Sequence, residues 1–140
     1  MAVVLKRIYE PPSARDGVRV LVDRLWPRGV SKEKGQLKLW LKEVAPSDEL
    51  RKWYHARPTQ WAKFRERYLE ELSAPEAAAA LEQLHQIAVK SKTLTLLYAS
   101  HNTEHNNATV LKEILDGTKK PPRSTGGAAA AAVRQRARAR

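Results

Sequence analysis

The 140-residue sequence predicts an α/β fold: a small sheet with at least two parallel strands joined by a long helical crossover, and helices packed around it in a Rossmann-like, three-layer arrangement. Three observations lead there. Two β-rich runs, 18–25 (VRVLVDRL) and 93–99 (TLTLLYA), stand far apart in the chain. The stretch between them repeatedly spaces its apolar residues with helical periodicity. The second run is almost wholly apolar or β-forming, as in a strand covered on both faces.

Taken in order, residues 3–9 (VVLKRIY) form a first strand. EPPSARDG then reads as a loop closed by the turn signal Asp16-Gly17. In the second strand Val18, Val20 and Val22 share one face and Arg19, Leu21 and Asp23 the other. The intervening loop is too short for an ordinary parallel crossover, so the first two strands are expected to be antiparallel. Pro27-Arg28-Gly29 breaks the strand. Ser31 is a candidate N-cap for a helix to about Ala45, with Leu37, Trp40, Leu41 and Val44 at i, i+3, i+4, i+7 and Pro46 ending it. Ser47 caps a short helix with Asp48 and Glu49 in its first turn. A longer helix over about 59–72 carries the stripe Trp61, Phe64, Tyr68 and Leu72. Ser73-Ala-Pro-Glu76 has capping-box spacing, and the helix it opens runs to about Lys90 with Leu81, Leu84, Ile87 and Ala88 inward. After the 93–99 strand, a last helix over about 104–116 stops at Gly117. Residues 1–117 are expected to be a single α/β domain and 118–140 a disordered, basic Ala/Arg-rich tail. A sheet this small leaves edges that a second copy can cover, so a homodimer is one expectation.

Composition narrows the function classes. No apolar run approaches 18 residues, so no membrane span is expected. MAVVLKRIYE is too soon charged for a signal peptide. With no cysteine, disulfides and thiol catalysis are excluded. These features point to the cytoplasm. The net charge of +11 is unevenly held. Residues 118–140 carry seven Lys/Arg and no acid, leaving 19 basic and 15 acidic residues in 1–117, a net of +4. RQRARAR suits non-specific binding to nucleic-acid phosphates, or it is simply a solvated extension.

Parallel strands 18–25 and 93–99 would bring their carboxyl ends together, where open α/β sheets bind ligands. At one end sits Asp23-Arg24-Leu-Trp26-Pro-Arg28-Gly29, at the other Ser100-His101-Asn102-Thr103-Glu104-His105-Asn106-Asn107. Arg24 and Arg28 offer planar donor forks for phosphate or carboxylate, and Trp26 a stacking face. Ser100, Asn106 and Asn107 can hold an anion near a helix N-terminus, or act as caps and ties to a neighbouring loop. Asp23 and Glu43 are the candidates for acid–base work; alternatively Asp23 positions an arginine, while Glu43 and Arg51 either pair to hold two helices in register or reach the mouth. Arg67, beside the aromatic stripe at Tyr68, is either a surface residue or a pocket wall. His101 and His105 have helical ligand spacing but no third partner, so no metal site is assigned. Neither a Walker loop nor GxGxxG is present, and the cofactor is unknown.

DRLWPRG, WLKEVAPSxELRKWY, WxxFxxRY and LLYAS followed by HNNATVL, in that order, resemble the YeaO-like branch of the DUF488 proteins over roughly residues 5–117. The resemblance implies a compact intracellular α/β domain and brings no reaction with it. Three functions therefore stand: a site for a small phosphate- or nucleotide-like anion at the strand ends, a nucleic-acid-associated protein using its tail, and a non-catalytic interaction module.

Overall fold

The computed structural model describes residues 2–117. The expected disordered tail, 118–140, lies outside the described residues. A four-stranded, all-parallel sheet is built from β1 (Ala2–Arg7), β2 (Val18–Leu21), β3 (Leu39–Trp40) and β4 (Thr93–Tyr98), in the order β1-β4-β2-β3. Five helices pack around it in a three-layer α/β fold: α1 (Lys32–Gly35), α2 (Asp48–Ala56), α3 (Trp61–Glu71), α4 (Pro75–Lys90) and α5 (Asn107–Gly117).

The expected parallel pair is present: Val18 to Leu21 of β2 lie opposite Leu94 to Leu97 of β4. The expected antiparallel pairing of β1 with β2 is not. Both strands run parallel to β4, which lies between them. A ten-residue return suffices because β2 is only four residues long, and an extended chain covers about 3.3 Å per residue. Within that return, Ser13 accepts a hydrogen bond from Arg15 N while Asp16 accepts from Ser13 N, closing a one-turn 3-10 helix.

Gly17 ends this turn at φ +63, where a Cβ would stand 2.3 Å from the Thr93 carbonyl oxygen. Both the dihedral and the contact with backbone demand glycine. Gly17→Ala is expected to destabilise by about 1–3 kcal/mol, read as a lower urea midpoint with an unchanged slope.

The helix expected over 31–45 is corrected. Ser31 does cap a helix, accepting from Lys34 N, but Gly35 ends it and Gln36 takes a left-handed conformation at φ 46. The chain then enters edge strand β3, where Val20 and Leu21 pair with Leu39 and Trp40. The periodic apolar residues divide between the two sides of the sheet, Leu41 and Val44 to one core and Leu37 and Trp40 to the other. The Ser73 capping box is also absent: Ser73 donates to Glu70 O, and Ala74 precedes Pro75 at the first turn of α4. The Ser47 cap is present, accepting from Leu50 N.

The larger core lies on one sheet face. Val20, Val22, Leu94, Leu96 and Tyr98 meet Phe64, Tyr68 and Leu72 of α3, Leu84 and Ala88 of α4, and Leu111 and Leu115 of α5. Each fully buried large side chain contributes about 1.5–3 kcal/mol. On the opposite face, Ile8, Leu21 and Leu97 are covered by Trp26, Val30, Leu37 and Trp40. Among the described residues, no helix is long and apolar enough to cross a membrane.

Candidate functional site

The carboxyl ends of β2 and β4 meet as their parallel pairing requires, and α2, α5 and the 99–106 loop close around them. Val22 N still donates to Leu97 O, so the strands remain joined one residue beyond β2. Asp23 then continues the union through its side chain. One carboxylate oxygen accepts from Ala99 N at 2.9 Å and the other from Asn107 Nδ2 at 3.2 Å. Asn107 Nδ2 also donates to Val22 O at 2.9 Å, and Trp40 Nε1 donates to Asp23 O at 2.7 Å. Asp23 thus ties two strand ends to the first residue of α5; among the described residues it holds no arginine in an ion pair. Burial raises its pKa above the ordinary carboxylate value, against the lowering effect of the Ala99 and Asn107 hydrogen bonds and the Arg51 charge.

The other expected site residues are placed as follows. Arg24 turns back to the loop before α2, donating from Nε to Pro46 O at 3.0 Å and from Nη2 to Ala45 O at 3.1 Å. Trp26 is half-buried, donates to Val30 O and meets Trp40 edge-on at 5.4 Å, so much of its ring serves the second core. Arg28 is exposed; its carbonyl accepts from Tyr9 OH, and its guanidinium has no partner among the described residues. Ser100 is exposed, and its hydroxyl accepts from Asn102 N. Asn106 caps α5 by accepting from Thr109 N at 3.1 Å and anchors the loop by donating to Asn102 O at 2.7 Å. The helix therefore begins at Asn107, later than the expected 104, because Asn102 holds Glu104 N and His105 N in an Asx turn. Glu43 lies half-exposed in the 3-10 turn Lys42–Val44, and no described contact joins it to Asp23 or Arg51.

His105 stacks on Trp61 with centroids 4.7 Å apart and planes 13° apart, while its carbonyl accepts from Tyr54 OH. No group of three or more His, Cys, Asp or Glu among the described residues is arranged to hold a metal ion.

Of the two expectations for Arg51, the pairing with Glu43 is not found among the described contacts. Instead one Nη bonds Asp48 at 3.3 Å. Its Nε is buried and has no hydrogen-bond partner among the described residues, although the side chain as a whole is 40% exposed. Arg51 and Tyr54 are one helical turn apart on α2, and Tyr54 already touches the 99–106 loop. That i, i+3 spacing sets Arg51 on the same side of α2 as Tyr54. A cavity of about 530 Å³ lies elsewhere, between α2 and α3, lined by Ser47, Glu49, Trp53, Arg67, Glu70 and Glu71 among others. Arg67 is one of its walls, with its guanidinium over the Trp53 ring at 4.4 Å.

These features define a small parallel α/β domain whose strand ends are tied together by the polar side chains of Asp23 and Asn107. The chain belongs to the DUF488 family: residues 2–132 match the model described as "Inactive DUF488-N3 subclade". It is 47% identical over 115 residues to the uncharacterized protein YeaO of Escherichia coli K12, covering 82% of this chain and 97% of that one. Uncharacterized proteins of Mycobacterium bovis and Mycobacterium tuberculosis are 41% identical over 115 residues, covering 82% of this chain and 94% of theirs. No solved structure matches the chain.

Proposed function

We propose that the protein binds a small phosphate- or carboxylate-bearing molecule at the mouth formed by β2, β4, α2 and α5, and holds it without turning it over. The observation that carries this reading is the Arg51 guanidinium: part is solvent-exposed, while its buried Nε lacks a partner among the described residues, and its charge acts on Asp23 at the strand ends. A buried donor left unpaired costs about 1–3 kcal/mol, and a bidentate anion removes that cost while meeting a fork suited to it. Arg28, also exposed and unpaired among the described residues, supplies a second positive group on the neighbouring loop.

No acid–base step is assigned to Asp23 or Glu43. Both Asp23 oxygens already accept hydrogen bonds, and Glu43 has no described contact with it. The family description's word "inactive" agrees with recognition in place of turnover.

A thermal-shift titration of the full chain with inorganic phosphate, nucleoside monophosphates and small dicarboxylates tests this. A ligand at about 100 times its Kd stabilises by roughly 2.7 kcal/mol, a rise of several degrees. Arg51→Gln should remove the rise while leaving the ligand-free protein folded, and Arg28→Ala should reduce it. No shift with any of these anions, or an equal shift in Arg51→Gln, overturns the proposal.

A further inference from the structure

An aromatic ledge runs from the main core to the surface beside the 99–106 loop. Buried Phe64 stacks on Tyr54 at 4.3 Å and on Trp61 at 5.7 Å. Trp61 in turn lies flat against His105, with centroids 4.7 Å apart and planes 13° apart. His105 is the last ring of the series and is exposed. Its outer face and both ring nitrogens have no partner among the described residues.

The main chain of His105 is pinned at both polar groups. His105 N donates to Asn102 Oδ1 at 2.9 Å, and Tyr54 OH donates to His105 O at 3.2 Å. A ring held in this way accepts a further flat ring without first losing freedom of its own, which is the advantage of preorganisation. Trp26, the stacking face expected from the sequence, is instead engaged by Trp40.

The ledge adjoins Arg51. Tyr54, which holds His105, follows Arg51 by three residues on α2, on the same side of the helix and about 4.5 Å further along its axis. Arg51 also acts electrostatically on Asp23, whose carboxylate bonds Ala99 N at the start of the same loop. A donor fork for an anion and a free aromatic face therefore share one side of α2.

We infer that the ligand bound at Arg51 is a nucleoside monophosphate, with its phosphate on the Arg51 guanidinium and its base stacked on the outer face of His105. This rests on the reading of Arg51 as an anion site and adds the class of molecule that the site takes. Inorganic phosphate and aliphatic dicarboxylates have no flat face to offer the ledge. One base–aromatic stack is worth about 5- to 150-fold in affinity. Every base has such a face, so a single nucleotide represents the class.

The test is an NMR titration of the full chain with inorganic phosphate, ribose 5-phosphate and adenosine monophosphate in turn. The nucleotide should bind about 5- to 150-fold more tightly than ribose 5-phosphate. It alone should move the His105 ring protons upfield, through the ring current of the stacked base. His105→Ala should bring the nucleotide down to the affinity of ribose 5-phosphate and leave ribose 5-phosphate unchanged. His105→Phe, which keeps a flat ring, should preserve the preference. His105 is exposed, so the melting temperatures of both variants should stay close to the wild type. Equal affinity for the nucleotide and ribose 5-phosphate overturns the stacked base and leaves the anion site standing. A nucleotide preference that survives His105→Ala overturns the role of His105. Absence of binding by all three probes overturns the anion site and the nucleotide with it.

Discussion

Asp16→Ala is expected to destabilise the protein by roughly 3–5 kcal/mol, the cost of removing one partner from a buried ion pair. Asp16 accepts from Arg19 Nη1 at 2.5 Å, Lys6 Nζ at 3.0 Å and Ser13 N at 3.0 Å. Arg19 is 5% exposed, and its other described hydrogen bonds are to the neutral Gly35 carbonyl. Without Asp16 a guanidinium charge stays buried and uncompensated. Urea unfolding of wild type and variant at neutral pH reads the difference, and the melting temperature should fall by more than about 10 °C.

The same pair predicts a pH signature. Burial pushes the Asp16 pKa up, but hydrogen bonds from Lys6, Ser13 N and Arg19 outweigh it, and the net shift is downward. The unfolded chain therefore takes up this proton more readily. Asp16's contribution is complete above the ordinary aspartate value of about 3.9 and is lost as pH falls below it through the folded value. Asp23 has the opposite sign. Its raised pKa gives a contribution that is complete below the unfolded value and is lost as pH rises through the folded one. The stability gap between wild type and Asp16→Ala should thus narrow in acid. On acidification the variant should keep the gain from Asp23 and lack the loss from Asp16. A gap that is constant with pH would show that Asp16 acts by packing alone.

Legibility in the sequence followed how local each determinant was. TLTLLYA announced β4 because every position after its first residue is buried, whichever face it occupies. The Trp61, Phe64, Tyr68 stripe and the Ser47 cap depend on neighbours within one or two turns, and both are present. β3 was hidden because two residues of strand carry no period, and Leu37, Trp40, Leu41 and Val44 mimic a helix while serving opposite faces of the sheet. Strand order was hidden because the insertion of β4 between β1 and β2 depends on pairing across the whole chain. Fold logic put the carboxyl ends of β2 and β4 side by side, and the structure brings Asp23 and Asn107 together there. Arg24 and Trp26 were chosen by residue type, yet Arg24 bonds two loop carbonyls and Trp26 packs on Trp40. Arg19 was assigned to the face opposite Val20, as observed, but its burial with Asp16 required knowing that Gly35 would cover it.

Tyr68→Ala carries the other large expected loss, again about 3–5 kcal/mol, because a fully buried aromatic ring is deleted from the centre of the main core. Tyr68 packs against Phe64, with centroids 5.6 Å apart. Its hydroxyl donates a short hydrogen bond to Val44 O. Burial and the nearby Asp23 and Glu71 carboxylates push its pKa well above the tyrosine value, which favours the protonated, donating hydroxyl. Tyr68→Phe separates the two roles. It keeps the ring and orphans Val44 O, at an expected cost of about 1–3 kcal/mol. The difference between the variants measures packing and the smaller loss measures the tether. That tether matters beyond stability, since the next two carbonyls, of Ala45 and Pro46, hold the Arg24 guanidinium, and Ser47 then caps the helix bearing Arg51. Tyr68→Phe should therefore weaken anion binding at the mouth as well as lower the urea midpoint. Unchanged ligand affinity in a destabilised Tyr68→Phe protein would show that α2 is held by its contacts with α3 and the 99–106 loop, independently of the Val44 tether.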